Sequence, residues 1–167
     1  MPFLPERKES PLMGLGGLGG GVGSNLLSSK GGPTYLDDVY STYLYEGTSA
    51  SKTITNNIDL GKGGLVWIAR RTSASYGHYF FDTVRGVEQY IDTTSTAAPV
   101  TNSATVTAFN NNGFTMGSSS YVNSVDPFAS WTFRKQEGFF TIVEWTGNGV
   151  AGNTVSHDLG CVPGCMI

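Results

Sequence analysis

At 167 residues the chain has room for one domain and an appendage. Its formal charge of −3, with only 14% charged side chains, leaves no dense Lys/Arg cluster of the kind a nucleic-acid groove needs. No uninterrupted apolar run approaches the roughly 20 residues of a membrane span, and the start, MPFLPERKES, with its prolines and acidic residues, lacks the form of a secretory leader.

Residues 1–12 hold three prolines around the mixed-charge word PERKES. MGLGGLGGGVGSNLLSSKGG follows from Met13, and nine of its twenty residues are glycine. Gly14 to Gly19 spells G-x-G-x-x-G, but a dinucleotide fingerprint needs a strand before it and a helix after it. Here prolines precede and more glycine follows, so that context is missing. The backbone entropy of glycine opposes a free amphipathic helix. A flexible linker and a membrane-active segment compete with a third reading, a docking arm. A linker has no need of aliphatics at intervals. A docking arm does: Leu15, Leu18, Val22, Leu26 and Leu27 would fill pockets on a neighbouring protein, each for roughly 1.5–3 kcal/mol. Ordering costs of about 1–2 kcal/mol per residue mean that such an arm takes shape only on its partner. The expected organisation is therefore an extended anchoring arm over residues 1–34 and a β module over residues 35–167.

From about Val39 the texture changes. VYSTYLYEG alternates large and small residues at the period of a half-buried strand, and KTITNNIDLG does the same. GGLVWIARR is a short apolar run bounded by glycine, as in a central strand, and its Arg70-Arg71 pair reads as the start of a solvated loop. HYFFDTVRG and VEQYIDT are further strand candidates, and STAAPVTNS is a loop broken by Pro99. ATVTAF-NNNG-FTMGS predicts a hairpin at Asn110 to Gly113, because Asn and Gly tolerate the positive φ of tight turns. ASWTFRK, GFFTIVEWTG and NTVSHDLG continue the meander. No helical stripe with caps appears. Aromatics at 12% agree with β structure, and many short strands with frequent turn signals predict an all-β, antiparallel sandwich or jelly roll. The final LGCVPGCMI opens a strand that stops almost at once, so the module is expected to be truncated at its C-terminal end.

Candidate chemistry is sparse. Cys161 and Cys165, spaced C-x-x-x-C, make a poor metal site, and neither His78 nor His157 stands at ligand spacing; no metal or cofactor is expected. Asp82 and Arg85 could contact a ligand, but they read first as a salt bridge or turn hydrogen bond that fixes the loop. Glu88 and Asp92 would share a strand face, Glu144 stands apart, and no two carboxylates are placed to flank a glycosidic bond. Ser120, Ser130 and Ser156 have no nucleophile-elbow context, so no enzyme is expected. Trp67, Trp131 and Trp145 lie in strand-like sequence and are expected in the core. Tyr76, Tyr79 and Tyr121 lie nearer loops and are the candidates for stacking on a glycan.

Taken in order, GGLVWI, DTVRG, NNNGF, WTFR, FF and HDLGCVPG resemble the words of a module repeated in large virion proteins of tailed bacteriophages. Those proteins are chiefly tail-fibre-like and other structural proteins of marine and cyanobacterial phages. The resemblance covers about residues 35–167. It implies a virion structural role in the tail, a lectin-like sandwich, and a homo-oligomer with a trimer favoured. It implies no defined ligand or enzymatic activity. Family members usually continue past the Val-Pro-Gly turn into another β domain. The arm lies outside the resemblance; the docking read from its own residues, combined with the virion role, has it attach to another virion protein while the β module projects outward. The alternatives are a carbohydrate-binding host-recognition module and a head-decoration protein.

Overall fold

The computed structural model describes residues 34–72 and 76–167. The arm positions Leu15, Leu18, Val22, Leu26 and Leu27 lie outside the described residues. Among the described residues the strands are β1 (Tyr40–Glu46), β2 (Lys52–Thr55), β3 (Gly64–Arg70), β4 (His78–Asp82), β5 (Gln89–Asp92), β6 (Val100–Thr101), β7 (Val106–Asn110), β8 (Gly113–Met116) and β9 (Pro127–Arg134). A four-residue helix α1 (Leu36–Val39) precedes β1, a second, α2 (Ser120–Asn123), lies between β8 and β9, and a 3-10 turn (Leu60–Lys62) leads into β3. The sequence predicted no helix, and a single turn held by tertiary contacts leaves no periodic stripe to read.

The strands form a six-stranded sheet in the order β1-β9-β3-β4-β5-β6 and a three-stranded sheet in the order β2-β8-β7. Every pairing is antiparallel. The two sheets face each other across one core, the arrangement of an all-β sandwich. The large sheet contributes Val66, Ile68, Tyr79, Phe81 and Phe128; the small one contributes Ile54, Val106, Phe114 and Met116. Side chains alternate across a strand, so in β3 Val66 and Ile68 point inward and leave Leu65, Trp67 and Ala69 on the outer face.

The predicted hairpin is present, with Asn111 and Asn112 between β7 and β8. Its positive φ falls on Gly113 (φ 146°), not on the asparagines. A Cβ there would lie 2.0 Å from the carbonyl oxygen of Ile54, so glycine lets β2 close on β8. Asn123, fully buried at the end of α2, joins three loops. Its Oδ1 accepts from the Thr48 amide at 2.8 Å, and its Nδ2 donates to the Gly117 carbonyl at 2.7 Å and to the Ala50 carbonyl.

Several local expectations are corrected. The Pro99 loop carries the short strand β6 at the sheet edge. Glu88 has φ 68° and precedes β5, so it does not share a strand face with Asp92. Arg70 is enclosed rather than solvated: its side chain is 8% exposed, with Nη1 3.2 Å from Asp126 and Nη2 donating to Ser124 Oγ at 2.6 Å and to the Ser120 carbonyl. GFFTIVEWTG and NTVSHDLG form no strands beyond an isolated Gln136–Phe140 bridge. A strand exists only as a pair, and no neighbouring edge meets these segments.

Candidate ligand-binding surface

The outer faces of the two sheets differ in chemistry. On the small sheet Thr53 and Thr115 hydrogen bond across the pair at 3.0 Å, and Asn110 Nδ2 donates to Thr115 at 3.0 Å. On the large sheet an aromatic strip runs across the strands. Trp67 stands beside Trp131 at 4.9 Å between ring centroids, Phe80 at 5.1 Å and His78 at 5.5 Å, while Tyr40 and Phe133 lie 5.0 Å apart. Trp67 Nε1 donates to His78 Nδ1 at 3.0 Å. Trp67 and Trp131 are thus half-buried on an outer face rather than in the core, because the strand register places them opposite the inward set. Trp145 is 63% exposed, which corrects the core expectation outright.

The β4–β5 turn is built on Asp82, which is 1% exposed. Its Oδ1 accepts from the amides of Val84 and Arg85, both at 2.9 Å, and its Oδ2 pairs with Arg85 Nη1. This is the turn-fixing role read from FDTVRG. The other Arg85 donors have no partner among the described residues.

Beyond β9 the chain turns back over this end of the strip, and Phe140 stacks on Phe133 at 5.2 Å. The segment from Thr141 to Asp158 is a loop closed at its neck. Gly138 N–H donates to the Leu159 carbonyl at 2.7 Å, and Asp158 takes hydrogen bonds from Lys135 Nζ (2.5 Å) and Thr141 Oγ1 (2.5 Å). Those two donors hold the Asp158 carboxyl down to about 2. The loop carries Glu144 and Trp145 over a cavity of ≈270 Å³ floored by Ile91, Pro99 and Arg85. A second cavity of ≈220 Å³ adjoins it, reaching Leu65 and Phe80.

The tyrosines separate. Tyr79 is 3% exposed, its ring against Tyr90 at 5.4 Å and Tyr121 at 5.3 Å, so it has no face to offer a sugar. Tyr76 is half-buried with the Arg70 guanidinium 3.7 Å over its ring. Tyr121 is 36% exposed at the edge of the tyrosine cluster. Sequence reasoning missed Trp145, Glu144 and Arg85 as neighbours; glycine-rich TGNGVAGN after Trp145 was the signal for a loop.

A family model described as "Domain of unknown function (DUF7483)" matches residues 37–167. The chain belongs to the DUF7483 family. No curated protein and no solved structure matches it. The DUF7483 match spans both sheets, the Asp82 turn and the closed loop, so framework and cavity are parts of one family unit. Within its described residues no group of three or more His, Cys, Asp or Glu side chains could hold a metal ion. Cys161 and Cys165 are free thiols, both exposed. No helix among those residues is long and apolar enough to cross a membrane.

Proposed function

We propose that this DUF7483 chain is a non-enzymatic structural component of a tailed-phage virion, placed in the tail or its fibres. Residues 1–34 dock it on a neighbouring virion protein, and the β module projects outward. The supporting observation is where the words of the phage resemblance fall. GGLVWI leads into β3, DTVRG is the Asp82-capped turn, NNNGF is the β7–β8 hairpin, WTFR lies in β9, and HDLG closes the neck of the loop. These are joints of a scaffold rather than a convergent set of reactive groups. A module recognised by its joints suits a part whose work is to attach, project and assemble, as a homo-oligomer with a trimer favoured by analogy.

The test is to delete residues 1–32 in the phage that encodes the chain and count copies per purified particle, by quantitative mass spectrometry with antibody labelling. The full-length chain is expected in particles, labelled at the tail, with occupancy lost on deletion. A chain never found in particles overturns the reading. Normal occupancy of the truncated chain moves the anchor elsewhere, and label on the head makes it a decoration protein.

A further inference from the structure

The aromatic strip packs on its own neighbours and the Arg70 guanidinium is enclosed, with both terminal nitrogens bonded and only its buried Nε unpaired; the cavity under the closed loop is open. Three unsatisfied features converge there. Trp145 presents an indole that is 63% exposed on a loop pinned at its neck. Glu144, next to it, has no hydrogen-bond or ion-pair partner among the described residues and is exposed. Arg85, which lines the cavity, spends Nη1 on Asp82 and holds Nε buried without a partner, so Nη2 is the donor left for a ligand.

An exposed aromatic plane with one acceptor and one fixed donor beside it is the chemistry that recognises a sugar ring, whose C–H face packs on π density while its hydroxyls both donate and accept. The depression, ≈270 Å³ and open to solvent, falls below the roughly 300–1,000 Å³ of sites for drug-sized ligands and so limits the occupant to a small one. The charge selects further. Asp82 neutralises Arg85, so Glu144 leaves the site with a net negative charge that disfavours acidic sugars.

We infer that Trp145, Glu144 and Arg85 form a binding site for a neutral pyranose, which stacks on Trp145 with its hydroxyls toward Glu144 and Arg85. The inference names a ligand for the projecting module and rests on the virion reading only in taking that sugar from a bacterial surface.

The experiment titrates the purified, labelled full chain with neutral hexoses, N-acetylhexosamines and uronic acids, following the Trp145 indole N–H resonance by NMR. The resonance is assigned by its loss in Trp145→Phe. Neutral sugars are expected to shift it, and uronic acids to bind more weakly. Trp145→Ala should weaken binding by about ten-fold or more with an unchanged unfolding midpoint, since the side chain is exposed. Glu144→Gln should narrow the gap between neutral and acidic sugars, while Tyr76→Ala and Tyr121→Ala should bind as the parent does. No shift with any pyranose, parental affinity in Trp145→Ala, or preference for uronic acids overturns the site. Failure here in a chain found in particles removes the sugar site alone. Sugar binding by a chain never found in particles upholds the site and removes the virion reading.

Discussion

Tyr79 and Tyr45 carry hydroxyls that the core holds neutral past the usual tyrosine range of about 10. Burial is the main cause for Tyr79, pushed up to about 12, with Asp92, Tyr121 and Tyr90 adding repulsion. Tyr45 is also raised by burial, and its hydroxyl donates to the Val122 carbonyl at 2.8 Å. A raised tyrosine pKa means that the fold disfavours the anion. The stabilisation is therefore complete below the unfolded value near 10 and is lost as pH climbs toward 12. Tyrosinate absorbance should show exposed tyrosines titrating first and Tyr45 and Tyr79 ionising together with unfolding. Ionisation of every tyrosine before any loss of structure would contradict this. The sequence places Tyr76, Tyr79 and Tyr121 alike beside loops. Only the register of β4 against β3, with Tyr79 opposite Ile68, turns Tyr79 inward. Arg70 is a parallel case: its partners Ser120, Ser124 and Asp126 come from a distant part of the chain.

Elements made by local sequence were legible, and those needing a distant partner were not. The β7–β8 hairpin and the Asp82 turn close over a few residues, so turn chemistry alone announces them. The alternation in GFFTIVEW is equally strong, yet no backbone pair forms between Thr141 and Asp158 among the described residues. The loop instead depends on its neck. Asp158 has its carboxyl lowered to about 2, so its contribution is present above the ordinary carboxylate range near 4 and is lost as pH falls through about 2. Acid titration should release the Gly138 amide, bonded to the Leu159 carbonyl, and the Leu159 amide, bonded to His157 Nδ1, to faster hydrogen exchange, and Asp158→Asn should produce the same release at neutral pH. Unchanged exchange at the neck in that variant would show that Gly138 and Leu159 hold the loop by themselves.

At the scale of the molecule, the large sheet is built from non-local pairings. β1 lies against β9 with Tyr40 opposite Phe133, and β9 against β3 with Trp131 opposite Trp67. Neither pair forms until the intervening chain has been closed as a loop, which holds the whole small sheet in the first case and β7 and β8 in the second. Refolding is therefore expected in milliseconds to seconds, the range of all-β topologies. Stopped-flow tryptophan fluorescence would follow it, and a microsecond phase carrying the full amplitude would contradict this. The same topology separates the two outer faces. The small sheet turns threonine and asparagine to solvent and the large one turns its aromatic strip outward, which leaves one side of the sandwich suited to contacts that the other cannot make.

By itself the sequence determined that the chain is β, where its tight turns fall, and that the Asp82–Arg85 pair fixes a corner. Each of these depends on residues within a few positions of one another. Only the tertiary structure decided which face of each strand is covered. A period of two residues defines two faces but does not say which one meets the second sheet. For the same reason Trp67 and Trp131 went to the outside, Tyr79 to the core, and Trp145 to a loop tip. The cavity was the least legible feature, because Arg85 and Glu144 become neighbours only when the chain after β9 folds back over the β4–β5 turn.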